Sequence, residues 1–254
     1  MKPAVCHLTY RFEGLDEQLL GCGGADDERC ILIVPPLFEE MNRVRRMILQ
    51  AMRELAGRGI STVLPDLPGT NESRADLAEQ DLDTWRAAVA AAAAQIGATH
   101  IASVRGGALI DDRASLPRWR LAPVKGSSLV KAMLRTRIAG DKEAGIVSTS
   151  EQLIASAQHA PLELAGNLIG AAMLASLDKA EPVLTGEIRE VLPGDVDGTA
   201  IWLRAEPQDD PAMSAAIAAD IDAWSATGGG CSGGGAGASG PAARWTKVRA
   251  APGC

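Results

Sequence analysis

Basic charge is the first thing this chain lacks. Lysine and arginine number 25 against 32 aspartates and glutamates, a net charge of −7. Holding a phosphate backbone needs a basic face, so no nucleic-acid partner is expected. Long apolar runs are missing too: nothing approaches the roughly 18 consecutive apolar residues of a membrane span. The opening MKPAVCHLTYRFEG has no continuous apolar segment followed by a small-residue cleavage site, so no signal peptide is read and a cytoplasmic location is expected. Paired cysteine spacing is absent. Cys6, Cys22, Cys30, Cys231 and Cys254 contain no C-x-x-C and are odd in number, which predicts reduced, structural thiols. Histidine is scarce, and neither Asp111-Asp112 nor Asp209-Asp210 has one at ligand spacing. No metal and no cofactor are expected, and there is no internal repeat.

What is present is an alternation. Hydrophobic residues make up 46% and charged residues 22% of 254, the balance of a soluble globular chain with a sizeable core. Cys30–Val34 and Ile60–Leu64 are apolar throughout, as strands buried on both faces of a parallel sheet are. Between them, Asn42–Gly57 sets Val44, Met47, Ile48, Ala51 and Leu55 on one helical face and arginines opposite. Asp83 is placed to cap an alanine-rich helix over 84–96, and the strand of Thr99–Leu109 follows. His7–Phe12 reads as an earlier strand, with a second beginning at Leu19. Strand, helix, strand, helix, strand means a parallel sheet with right-handed crossovers. Later, helices are expected over 127–139, 150–159, 167–177 and 211–225, and a strand over Thr199–Ala205. Residues 228–240 read as a glycine-rich flexible loop and 241–254 as an irregular tail.

The stretch THIASVRGGAL carries the chemistry question. A strand, a tight turn with small flanking residues and a helix opening form the frame of a G-x-S-x-G nucleophile elbow. Ser103 and Gly107 hold the small positions, but Arg105 holds the apex, and an arginine cannot attack a carbonyl. A Ser-acid-His order also fails, because only His159 follows the elbow, too early in the chain.

Aligned together, PPLFEEMNRVRRM, VLPDLPGTNES, DLDTW and SVRGGAL resemble the second class of exosortase A system-associated hydrolases, as do Trp119–Gly126, Leu134–Arg137 and Leu162–Gly166. The resemblance covers roughly residues 30–205. It implies a three-layer α/β-hydrolase-like sandwich over 1–227, mostly parallel in its central sheet, with a cap-like helical segment at about 125–180. It also implies a setting among bacterial exopolysaccharide and protein-sorting genes and an arginine at the elbow as a family habit. Leu37, between the proline pair and Phe38, departs from the pattern, and so does the tail.

Ligands of such sheets sit beyond the carboxyl ends of the strands, which gathers the candidate residues into one crevice. Arg105, with Gly106 opening the following helix, is placed to grip a carboxylate or phosphate; the alternative is an internal salt bridge to Glu39 or Glu40. Glu39 or Glu40 is also a candidate general base for a water. Phe38 and Asn42 line the same crossover, and Asp66 either joins the crevice or pins its own loop. Two functions follow: a degenerate hydrolase fold binding a small acidic or acyl ligand or a partner, with oligomerisation open, or a hydrolase or acyltransferase acting through Glu39 or Glu40 with Arg105.

Overall fold

The computed structural model describes residues 5–196, 198–203 and 210–227. Strands β1 (Val5–Phe12) and β2 (Leu15–Cys22) form a hairpin whose two turn residues, Glu13 and Gly14, have φ of 44° and 84°. Positive φ at both central positions matches the twist of the flanking strands. Five parallel strands follow: β3 (Arg29–Val34), β4 (Ile60–Pro65), β5 (His100–Val104), β6 (Arg118–Leu121) and, after the short antiparallel pair β7 (Leu162–Leu164) and β8 (Asn167–Ile169), β9 (Ile188–Val191). The main sheet runs β1-β2-β4-β3-β5-β6-β9, with β2 antiparallel to β4.

Helices cover both faces. On one, α1 (Glu39–Ala56) and α6 (Pro211–Thr227) pack Val44, Met47, Ile48, Leu55, Ile217 and Ile221 onto Ile31, Ile33, Ala102, Val104 and Trp119. On the other lie α2 (Leu82–Ile96), α3 (Gly126–Glu143), α5 (Ala171–Lys179) and the small hairpin, with α4 (Ser150–Ser156) beside α3. The alanine content of α2 lets it lie close to the sheet, with Ala88 and Ala92 fully buried. Its cap is Asp81, which accepts from the Thr84 amide at 2.8 Å, and not Asp83 as the sequence predicts. Gly97 closes it in the left-handed conformation, φ 64°. No helix among the described residues is long and apolar enough to cross a membrane.

Further expectations are corrected. The helix expected over 167–177 begins only at Ala171, because Ala165 and Gly166 (φ 49° and 75°) turn the chain and Asn167–Ile169 pairs back with Leu162–Leu164. The strand expected over Thr199–Ala205 is a 3-10 turn at Ile201–Leu203, so Ile201 and Trp202 are buried by a turn under α1 instead of by pairing. The sheet position beside β6 is taken by β9, an edge strand whose exposed Arg189 and Glu190 hide its periodicity. After the elbow the chain makes only a five-residue 3-10 helix, Arg105–Leu109. Residues 204–205, the 228–240 tract and the 241–254 tail lie outside the described residues.

Candidate functional site

The apex residue Arg105 has φ 55°, a strained conformation for a residue with a side chain and the one a strand-to-helix elbow demands. Gly107 is required beside it: a Cβ there would stand 2.6 Å from the Val34 carbonyl oxygen and 2.7 Å from that of Pro35. Each nitrogen of the guanidinium has a partner. Nε and Nη2 donate to the two carboxylate oxygens of Glu40 at 3.3 and 3.1 Å, and Nη1 donates to the Ala122 carbonyl at 3.2 Å. Its carbon stands 5.0 Å from the ring centroid of Trp202, a cation–π distance. The Arg105 and Glu40 side chains are only 15% and 12% exposed. Gly106 is buried, and Leu129 and Leu37 come within 2.8 and 3.1 Å of where its Cβ would be. Leu129 and Leu37 therefore fill the space that a side chain at Gly106 would need.

Open space lies one strand over, across the carboxyl ends of β3 and β4. A cavity of about 120 Å³ is walled by Pro35, Leu37, Phe38, Leu67 and Trp85, with Asn42, Thr70, Asn71 and Asn167 as its polar side chains. No charged side chain lines it among the described residues. Phe38, itself at φ 56°, tilts against Trp85 with centroids 5.4 Å apart, and the Trp85 indole donates to the Pro68 carbonyl at 2.9 Å. Asn167 reaches the cavity from the start of β8, its amide donating to the Ala165 carbonyl at 2.9 Å.

The sequence-predicted residues thus separate into groups. Phe38 and Asn42 line the cavity; Arg105 and Glu40 form a closed pair; Gly106 is covered. Glu39 pairs with Arg43 at 3.2 Å, one turn along α1. Asp66 is buried and holds its own loop, accepting from the Asn71 side chain at 2.8 Å and, at the limit of 3.5 Å, from the Glu72 amide. Burial raises its pKa above the usual carboxylate range, and those hydrogen bonds only partly oppose the shift. Asn71 lies in the VLPDLPGTNES stretch, in the Asp66 loop that the sequence sets at the crevice, and Trp85 lies in DLDTW; Asn167 and Trp202 carry no such signal, because the sequence predicts a helix and a strand where the chain forms a hairpin and a 3-10 turn.

This is an α/β-hydrolase fold. The assignment rests on the mostly parallel sheet in the order β1-β2-β4-β3-β5-β6-β9 with helices on both faces. No protein-family model matches the chain, and no curated protein does. Among solved structures, a protein of Agrobacterium vitis S4 provisionally named a hydrolase is 12% identical, over 88% of this chain and 99% of that one, with a TM-score of 0.48. A bacterial membrane phospholipase A described as a virulence factor is 21% identical, over 49% of this chain and 41% of that one, TM-score 0.40. The epoxide hydrolase VrEH1 of Vigna radiata is 18% identical, over 48% and 40%, TM-score 0.39. The chain spans about two fifths of the length of the latter two.

Where an α/β-hydrolase elbow continues into a helix, this one turns back on a buried charge cluster. The Ser103 hydroxyl donates to Asp111 Oδ2 at 2.5 Å, and Arg120 grips the same carboxylate through Nε at 2.9 Å and Nη2 at 2.6 Å. All three side chains are sealed from solvent, and Arg118 adds a second guanidinium 3.5 Å from Asp111. Ser103 is therefore held beneath the elbow as a hydrogen-bond donor to a neutralised carboxylate. No histidine approaches it: His7 is on β1, His100 opens β5 at the far end from the elbow, and His159 is an exposed turn residue after α4.

Proposed function

We propose that this chain is a binding protein built on the α/β-hydrolase fold, without a working nucleophile, and that its ligand is a small uncharged group of acyl type seated between Phe38, Asn42, Asn71 and Asn167. The observation that carries this reading is the closed state of the apex. Arg105 spends its fork on Glu40 and its face on Trp202, and Leu129 and Leu37 fill the space beside Gly106. An acidic ligand at Arg105 must first displace a carboxylate already held bidentately. The neighbouring cavity imposes no such exchange. Its apolar walls and neutral amides suit a short hydrocarbon body with one carbonyl or hydroxyl. Its volume, close to the ~150 Å³ of a cavity that takes benzene, admits on the order of six heavy atoms. The setting among exosortase and exopolysaccharide genes is supported by the resemblance of residues 30–205 alone.

The test pairs binding with turnover. Butyramide should raise the melting temperature in a dose-dependent way, butyrate should do so less, and Asn71→Ala or Asn42→Ala should weaken the shift. Hydrolysis of p-nitrophenyl butyrate should match the uncatalysed rate. Turnover that disappears in Glu40→Gln or Arg105→Ala would overturn the reading in favour of a hydrolase using that pair.

A further inference from the structure

Glu17 is a carboxylate with nowhere to put its charge. It lies on β2 directly across from Tyr10 and is 1% exposed. Oε1 accepts from the Ser73 hydroxyl at 2.9 Å, while Oε2 is buried with no hydrogen-bond partner among the described residues. A second buried acid, Asp66, adjoins it: the Asp66 amide donates to the carbonyl of Gln18, the residue after Glu17, at 2.9 Å. Burial, with the charge of Asp66 adding to it, pushes Glu17 above the usual carboxylate range.

The surroundings on every side offer Glu17 little relief. From β1, the Tyr10 hydroxyl is committed to the Asp66 carbonyl oxygen at 3.0 Å and is itself pushed upward by burial and by both acids. From the loop, Ser73 donates one bond, Asn71 serves Asp66, and Glu72 adds negative charge near Asp66. From α1, the positive charge of Arg45 acts on Asp66. An uncharged Glu17 leaves one hydroxyl unpartnered; an ionised one leaves buried charge unpartnered, which costs far more.

Both acids hold the same loop, and that loop is a wall of the cavity. Leu67, Gly69, Thr70 and Asn71 line it. Ser73 ties the loop together, accepting from the Gly69 amide at 2.9 Å while it donates to Glu17, and Asp66 holds Asn71. We propose that the Glu17–Asp66 pair makes this wall respond to pH: it is ordered while the pair keeps one proton and loosened once Glu17 has released that proton to solvent and both acids are charged. Occupation of the cavity then weakens as pH rises, an inference that rests on the cavity being the binding site.

The experiment uses the free 254-residue chain and follows amide hydrogen exchange at Gly69, Thr70 and Ser73 against pH, corrected for intrinsic chemistry. One proton released on opening changes the opening equilibrium by up to about tenfold per pH unit. That rise is expected above the usual carboxylate range in the wild type. It should be reduced to the part due to Asp66 in Glu17→Gln, which keeps an acceptor for Ser73, and displaced to lower pH in Asp66→Asn, which removes the neighbouring charge. A flat wild-type profile, or one that Glu17→Gln leaves unchanged, overturns the proposal. If Glu17→Gln does not fold, an undisplaced profile in Asp66→Asn overturns it. No ligand is present, so failure here is distinct from failure of butyramide to bind.

Discussion

Arg105 carries two costs at once, a left-handed backbone and a desolvated charge, and it persists because Glu40 and Trp202 meet it. The strain of its φ of 55° is about 1–2 kcal/mol for a residue with a Cβ. Removing either charged partner leaves the other poorly solvated, so Arg105→Ala and Glu40→Ala should each destabilise the fold more than expected from size. The double variant should recover part of that loss, with a coupling of about 1–3 kcal/mol in a urea-denaturation cycle; additive losses would mean that the pair contributes nothing. Asp111 is the more sensitive residue. Replacing it with Asn leaves Arg120 and Arg118 buried beside an uncharged amide and should cost about 3–5 kcal/mol, whereas Ser103→Ala should cost about 1 kcal/mol. The bridge between Arg105 and Glu40 was legible in the sequence as one of two alternatives, because an elbow apex and the crossover after β3 must face each other. The Asp111–Arg120 pair was not. An aspartate beside another aspartate, nine residues before an arginine, carries no periodic or motif signal, and only the register of β6 on β5, which sets Arg120 opposite Ser103, brings them together.

At the scale of elements, β3, β4 and β5 were readable because central parallel strands are apolar on both faces, and α1, α2 and α6 because their buried faces or alanine runs are long. Elements with one exposed face and few residues were lost: β9, and the β7–β8 hairpin that delivers Asn167. The cavity was therefore only half legible, its β3 and β4 sides visible and its hairpin side hidden. The elbow itself makes a sharp prediction. Gly107→Ala pushes a methyl into the Val34 and Pro35 carbonyls and should destabilise by about 1–3 kcal/mol or more, read as a lower denaturation midpoint with an unchanged slope. Asp81→Ala removes the cap of α2 and should cost about 1 kcal/mol, while Asp83→Ala, which caps nothing, should cost much less.

For the whole molecule, the buried and capping acids set stability against pH from opposite sides. Asp81 and Asp220 are held below the usual carboxylate range, the first by the Thr84 amide and the second by Arg189. Their contribution is complete above the unfolded-state value and is lost as pH falls through the lowered one. Glu17 and Asp66 are raised by burial, so their contribution is complete below the unfolded-state value and is lost as pH rises through the raised one. Unfolding free energy should therefore peak between these limits, and Glu17→Gln should flatten only the alkaline side; a symmetric loss on both sides would contradict the assignment. The same layout separates chemistry from binding. The fold brings an elbow, a crossover and the β7–β8 hairpin to the carboxyl end of the sheet, then closes the elbow and leaves the space beside it open. The measurement that addresses this most directly is an NMR titration with butyramide. Shifts should centre on the side-chain amides of Asn42, Asn71 and Asn167 and on the Trp85 indole, with the Gly106 amide unmoved. Shifts centred on Gly106 and Arg105, with the asparagines unmoved, would place the ligand at the elbow and contradict the account.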